Sequence, residues 1–287
     1  MPGPLGGFRL TGPAYSLKSL TELPRLRTKR LAMEVLQLDK VSKRFGGLMA
    51  VRDLSFAVEA GEIRGLIGPN GAGKTTVFNL ISGFYRPTTG HIIHQGRDIA
   101  GLRTCRIAER GIVRTFQHTT LFEQLTVVEN ILVGRHLHSR SGVIASLLGR
   151  DVLQRSEEAS NALRVLDFFG LADRANDTAS SLPHGLQKAL GLAVAAASEP
   201  KILMLDEPFA GMNPQETLQM MTLVRRLRDQ GMTILLVEHD MQAVMGLCDR
   251  ITVVNFGELL TEGTPAEVRT HRAVIEAYLG RSTTTDS

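Results

Sequence analysis

The stretch Gly68-Pro69-Asn70-Gly71-Ala72-Gly73-Lys74-Thr75-Thr76 constrains this chain more than any other. It reads Gly, four residues, Gly, Lys, Thr. It lies between an apolar run, Ile63 to Ile67, and a helix-like segment, Thr75 to Ser82, that Gly83 is placed to stop. A strand, a glycine loop and a helix in that order leave few architectures open. Without Cβ atoms, successive backbone N–H groups can turn inward and wrap an anion. The helix N-terminus adds its partial positive charge. Lys74 is placed to reach terminal phosphates, and the Thr75 hydroxyl to ligate Mg2+. A plain glycine-rich turn has no need of the flanking strand and helix. A dinucleotide-binding loop fails on spacing, because after Gly71 and Gly73 its third glycine would fall on Thr76.

A second constellation lies far down the chain. Ile202 to Leu205 reads as a buried strand that ends in two acids, Asp206 and Glu207. Carboxylates at the C-terminal end of a parallel strand sit where such sheets bind ligands. There Asp206 can hold Mg2+ and Glu207 can orient or deprotonate a water. An acidic pair capping the next turn is the alternative. Glu238-His239-Asp240 closes the strand Thr233 to Val237 in the same way, and His239 could contact a γ-phosphate or steady the attacking water; alone it would read as structural. Gln117 follows a strand at Ile112 to Phe116. Its amide can ligate Mg2+, and by itself it would read as a surface glutamine.

The remaining pattern supplies the frame. Strands are expected at Glu34 to Val41, Leu54 to Val58, His91 to His94 and Ile251 to Asn255. Phe45-Gly46-Gly47 marks a turn. From His118 to Leu182 strand-like alternation stops. Helices are expected at Val127 to His136 and Leu153 to Phe169, joined by a Ser/Gly-containing link, His138 to Gly149. Further helices follow at Leu186 to Ser198, from Asn213-Pro214, at Asp240 to Leu247 and at Pro265 to Leu279. Helices alternating with buried strands imply an α/β fold around a largely parallel sheet, with a helical subdomain inserted at about 118–190.

Composition bounds the rest. With 287 residues and 43% hydrophobic content the core is ample, and with no Trp and 5% aromatics it must be aliphatic. Cys105 and Cys248 lie far apart in no metal-ligand spacing, so two ordinary buried thiols in a reducing compartment are expected. Residues 1–32 hold six basic residues and Glu22, a net of +5, and the total of +4 leaves −1 for the rest. A nucleic-acid binder carries its basic surface on the folded domain, so no nucleic-acid partner is expected. Residues 1–32 have no apolar run long enough for a signal peptide. They are expected to be a disordered tail or the product of a start codon upstream of Met33, with a membrane-surface tail as the third reading; 281–287 reads as a polar tail. The longest apolar run, Ala189 to Ala197, is nine residues, against about 20 for a membrane span. Any work at a membrane must go through a partner.

Together these residues resemble the ATP-binding subunits of ABC transporters, over about Met33 to Gly280. The resemblance implies a P-loop NTPase of ABC type, with an antiparallel β subdomain beside the parallel core and ATP with Mg2+ as ligands. Gly68 to Thr75 resembles the Walker A loop, Gln117 the Q-loop, and Ile202 to Asp206 Walker B, with Glu207 as catalytic glutamate. Gly211 to Pro214, with Asn213, sits where the D-loop belongs, and His239 where the H-loop does. Phe45 takes the place of the aromatic that stacks on adenine. Leu182-Pro183-His184-Gly185-Leu186 holds the signature position but departs from Leu-Ser-Gly-Gly-Gln. Pro183 lacks both the hydroxyl and the N–H that would meet the opposing subunit's γ-phosphate, so weaker contacts across the dimer, or slower hydrolysis, are expected.

The stretches Arg114 to His118, Leu121-Phe122, Thr126 to Asn130, Leu205 to Pro214 and Ile275 to Gly280 resemble more narrowly the first of two ATPases in high-affinity branched-chain amino-acid importers. That resemblance implies membrane permease subunits, a paralogous second ATPase (or a second copy), an indirect solute-binding protein outside the cell, and a peripheral place on the cytoplasmic face of the membrane. ATPases of urea or short-amide importers are the near alternative. A soluble ABC ATPase acting on ribosomes or DNA is the distant one, disfavoured by a single phosphate loop and no sustained heptads.

Overall fold

The computed structural model describes residues 34–115, 121–136 and 152–279. The extension 1–32, Gln117, the link 138–149 and the tail 281–287 lie outside the described residues. The chain opens on a hairpin of β1 (Glu34–Phe45) and β2 (Leu48–Glu59). It then crosses to β3 (Ile63–Ile67) and helix α1 (Lys74–Ile81). β4 (Thr89–His94) and β5 (Arg97–Asp98) return to the hairpin, completing an antiparallel sheet of order β2-β1-β4-β5. Helix α2 (Thr104–Ala108) leads to β6 (Ile112–Arg114). Among the described residues, the α-helices α3 (Val127–His136), α4 (Val152–Phe168) and α5 (His184–Ala197) follow. The chain then alternates β7 (Ile202–Asp206), α6 (Pro214–Asp229), β8 (Thr233–Val237), α7 (Met241–Leu247) and β9 (Arg250–Asn255). β10 (Glu258–Gly263), α8 (Pro265–Thr270) and α9 (Arg272–Leu279) finish it.

The second sheet has the order β10-β9-β3-β8-β7-β6. Its strands are parallel except for β10, which pairs antiparallel with β9. β3, β7 and β8 are five-residue runs buried throughout, as strands covered on both faces must be. Alternate side chains enter two cores. Ile63, Leu203, Leu205, Ile234 and Leu236 pack toward the faces of α3 to α7. Leu66, Met204, Leu235 and Val237 pack against Val77 and Phe78 of α1 and against the antiparallel sheet. Phe78 is fully buried, a burial that contributes about 1.5–3 kcal/mol.

Local chemistry sets the helix ends. Asn213 caps α6 in a reciprocal box with Glu216, and Thr264 does the same for α8 with Glu267. Thr126 and Glu129 exchange the equivalent bonds at the start of α3. Gly134 lets α3 lie close to α5, since a Cβ there would stand 2.5 Å from the Val194 carbonyl oxygen.

Several expectations are corrected. β1 and β2 run past Val41 and begin before Leu54, because hairpin pairing continues to Phe45↔Leu48. β10 and the five-residue α2 escape a periodicity reading. The single helix expected over Pro265 to Leu279 is two, with His271 extended at φ −72°, ψ 116°. Val268 and Val274 both bury in one core, although six residues on a continuous helix would set them about 120° apart. Cys248 is buried, its pKa pushed up to about 12 by burial; Cys105, on α2, is exposed.

Candidate nucleotide site

Leu66 of β3, Val237 of β8 and Asp206 of β7 are register neighbours across three parallel strands. Gly68, Glu207 and Glu238 therefore leave the sheet side by side at its C-terminal edge, and the glycine loop, the acid pair and His239 share one rim.

At the loop, Gly68 has φ +157° and a Cβ there would stand 2.0 Å from the Val254 carbonyl oxygen; Gly73 has φ +101°, with Ala50 O at 2.7 Å from the same position. No other residue fits either place. Gly73 is the N-cap of α1 and offers no side-chain bond, which leaves first-turn N–H groups for a ligand. Lys74 is buried, and its ammonium donates to the Gly68 carbonyl at 2.6 Å and the Pro69 carbonyl at 3.0 Å. Pro69 and Ala72 are buried and bonded across the loop at 3.1 Å; Asn70, Gly71 and Thr75 are exposed and Thr76 is half-buried.

The carboxylates divide in role. Asp206 is buried and pairs with Arg114 at 2.6 Å. Glu207 takes a left-handed backbone, φ +47°, held by its N–H donating to the Val237 carbonyl at 2.9 Å; a non-glycine residue in that region costs about 1–3 kcal/mol. His239 is mostly exposed, with Nδ1 at 3.8 Å from Glu207 and from Glu238. Glu238 is buried, and burial raises its pKa against the pull of three backbone donors. Its carboxylate accepts from Phe209 N at 2.9 Å and His239 N at 3.0 Å, clasping the turn after Glu207 to the turn after β8.

Phe45 is half-exposed and meets Tyr85 edge-on at 5.1 Å, with the Lys43 ammonium 4.9 Å from its ring. The stretch Leu182 to Leu186 sits apart, against Gly211 and Glu216 of the same chain. Leu182 is buried, and Pro183 is the N-cap of α5 with no side-chain bond. His184 packs on Gly211, and a Cβ on Gly185 would meet the Glu216 carboxylate at 2.7 Å. Asn213 is exposed, but its carbonyl oxygen is engaged in the α6 cap.

Four residues with parts here were given none by the sequence reading. Arg114 and Glu238 stand beside residues that were singled out. Lys188, on α5, donates to the Pro208 and Ala210 carbonyls, and burial lowers its pKa against the pull of Glu238 and Glu207. Tyr278, in the motif Ile275 to Gly280, lies beside the Gly68 backbone, and burial pushes its pKa up to about 12. A cavity of about 360 Å³ opens beside Asp206 and Glu207, lined also by Arg114, Lys188, Leu192 and Phe122. Asn130, buried, holds the backbone of half-exposed Phe122 with two bonds of 2.9 and 3.1 Å.

A parallel sheet whose edge carries a strand–glycine loop–helix unit is a P-loop NTPase. Comparison with known proteins narrows the class. Residues 51–210 match the ABC transporter family model, and residues 258–283 match the branched-chain amino acid ATP-binding cassette transporter model. The chain belongs to the ATP-binding cassette family of ABC transporters. It is 47% identical over 255 residues to the high-affinity branched-chain amino acid transport ATP-binding protein LivG of Salmonella typhimurium, covering 88% of this chain and all of that one. It is 43% identical over the same length to the corresponding protein BraF of Pseudomonas aeruginosa. Among solved structures it superposes on MJ1267, an ABC transporter cassette in its ADP conformation, with TM-score 0.76, 30% identity, and coverage of 86% of this chain and 99% of that one. A nucleotide-free cassette gives 0.75 at 29% identity, with the same coverage.

Proposed function

We propose that this chain is the ATP-hydrolysing subunit of an importer of branched-chain amino acids, acting from the cytoplasmic face through separate permease subunits. The observation that carries the reading is the shared rim, where the glycine loop after β3, the acids after β7 and His239 after β8 converge. Residues 68–76 hold the triphosphate by backbone N–H groups and Lys74, and Phe45 stacks on the base. Glu207 orients or deprotonates the attacking water, and His239, 3.8 Å from it, steadies the γ-phosphate. The Thr75 hydroxyl and the Asp206 carboxylate are hard oxygen donors of the kind Mg2+ takes, with Gln117 as a third. That ion supplies charge neutralisation at the β- and γ-phosphates.

Two cassettes face head to tail, a paralogue being the expected second one. The α5 N-terminus, Leu182 to Gly185, meets the phosphate held by the partner; with Pro183 there, helix N–H groups and Gly185 remain. Nucleotide selects the closed pair, and hydrolysis releases it. The helices α3 to α5 act as the subdomain that passes this motion on, and the groove with Phe122 at its lip is the face offered to the permease. No helix among the described residues is long and apolar enough to span a membrane, in keeping with a peripheral subunit.

Uptake of labelled leucine and labelled urea in a deletion strain, complemented with wild type or Glu207→Gln, tests the reading. Leucine uptake restored by wild type alone supports it. Urea uptake alone restored moves the chain to the amide importers, and neither restored removes the assignment of solute.

A further inference from the structure

Asp206 already carries a cation. Arg114, the last residue of β6, donates from Nη2 to Asp206 Oδ2 at 2.6 Å, and the two side chains are only 10% and 8% exposed. Its Nη1 donates to Asn79 Oδ1 at 2.6 Å and to Ser82 Oγ at 3.4 Å, on α1 and its C-cap. The guanidinium carbon lies 5.5 Å from the Phe78 ring and 6.0 Å from Phe84. One fork thus ties together the helix that the glycine loop opens, β6 and the end of β7. Because Asn79, Ser82 and two rings also hold it, the guanidinium stays when its carboxylate finds another partner.

We propose that Arg114 is a positioning residue that neutralises Asp206 while no divalent cation is bound, and that it shares the carboxylate with that cation afterwards, so setting how strongly nucleotide binding depends on metal. This rests on the reading that residues 68–76 hold a nucleotide. A buried carboxylate without a counter-charge is costly, and it would repel an incoming triphosphate across a poorly screened gap. With Arg114 in place, metal-free nucleotide meets a neutral pair. Without it, more of the repulsion from Asp206 is left for the metal to remove.

The test is fluorescent-ATP titration of the full chain in Mg2+ and in EDTA, for wild type, Arg114→Gln, Arg114→Lys, Asp206→Asn and the double Asp206→Asn/Arg114→Gln. The ratio of Kd in EDTA to Kd in Mg2+ should rise about tenfold in Arg114→Gln and stay within about threefold of wild type in Arg114→Lys. Asp206→Asn leaves the guanidinium unopposed, so it should bind metal-free ATP about tenfold more tightly than the double variant. That pair contains no unpaired buried acid and carries the test whether or not Arg114→Gln folds. Equal weakening of Arg114→Gln in both buffers, or an Asp206→Asn that matches the double variant in EDTA, overturns the proposal. Wild type that binds no nucleotide in either buffer overturns the nucleotide reading, and this proposal with it.

Discussion

The six-stranded sheet carries a buried arginine–carboxylate pair at each end. At the N-terminal end Arg64 meets Glu62 at 2.9 Å, and at the C-terminal end Arg114 meets Asp206 at 2.6 Å. The first pair is closed on itself. Glu62 also accepts from Glu59 N at 2.9 Å, and Arg64 reaches Thr252 and Glu262 on β9 and β10. Burial raises the Glu62 pKa while Arg64 pulls it down, so the partner favours the ionised form that burial opposes. The second pair joins residues 92 apart in sequence and borders the 360 Å³ cavity. Distance and burial alike, the two differ in what surrounds them. Polar groups that satisfy one another make a fixture of the fold. Polar groups that face an opening can exchange partners with a ligand.

Arg64→Met breaks this contrast with the largest effect, because it strands Glu62. Urea denaturation should show a loss of about 3–5 kcal/mol, with nucleotide affinity of the folded fraction unchanged. Removing a cation at the other end should do the reverse. Lys74→Ala should weaken ATP binding by about 1.5–3 kcal/mol, the range for hydrogen bonds to charged groups, and should cost the fold less than Arg64→Met does, because it leaves no buried charge unpaired. Titration calorimetry beside the melt checks both halves. A variant that lost stability and kept affinity would erase the distinction between the two ends.

Glu238→Gln sharpens the comparison, since this acid is buried yet stands on the functional rim. The amide can keep one acceptor bond but turns N–H donors toward Phe209 or His239. A cost of about 1–3 kcal/mol should appear in stability, together with a lower kcat at little-changed KM. The smallest effect belongs to His94, on the antiparallel sheet. Its Nδ1 lies 2.7 Å from Val35 O and Nε2 3.2 Å from Arg110 O, and Lys201 and Arg110 are the charges that face it. Burial, the largest influence, lowers its pKa from the ordinary 6.5. The unfolded chain therefore takes the proton first, so the stability present above about pH 6.5 falls as pH drops through the lower folded value. Melting temperatures between pH 7 and pH 5.5 should fall more steeply for wild type than for His94→Gln.

How much of this was legible in the sequence follows from how far each cause reaches. β3 and β8 are legible to the residue, because short, mainly apolar runs that stop at Gly68 and at Glu238 are a local signal. The helix expected at Val127 to His136 is α3 with the same bounds. β10 lies beside an exposed turn and alternates weakly, and the break at His271 answers to the core under Val268 and Val274. The glycine loop was visible because its chemistry is contiguous. The Arg114–Asp206 pair was not, since nothing in Arg114-Thr115 says which distant acid the guanidinium will meet. Glu238 looked like an ordinary strand end, and only its bonds to Phe209 and His239 give it a place at the rim. The left-handed backbone of Glu207 is likewise set by Val237 on the next strand.

The central proposal is that bound ATP is hydrolysed at the C-terminal rim with Glu207 as the acting carboxylate. Phosphate release and Mg-ATP affinity, measured together on wild type and Glu207→Gln, test this most directly. The prediction is phosphate release reduced by about 10²–10⁴-fold, with affinity within about threefold and an unchanged melt. Phosphate release at the wild-type rate in Glu207→Gln would contradict it.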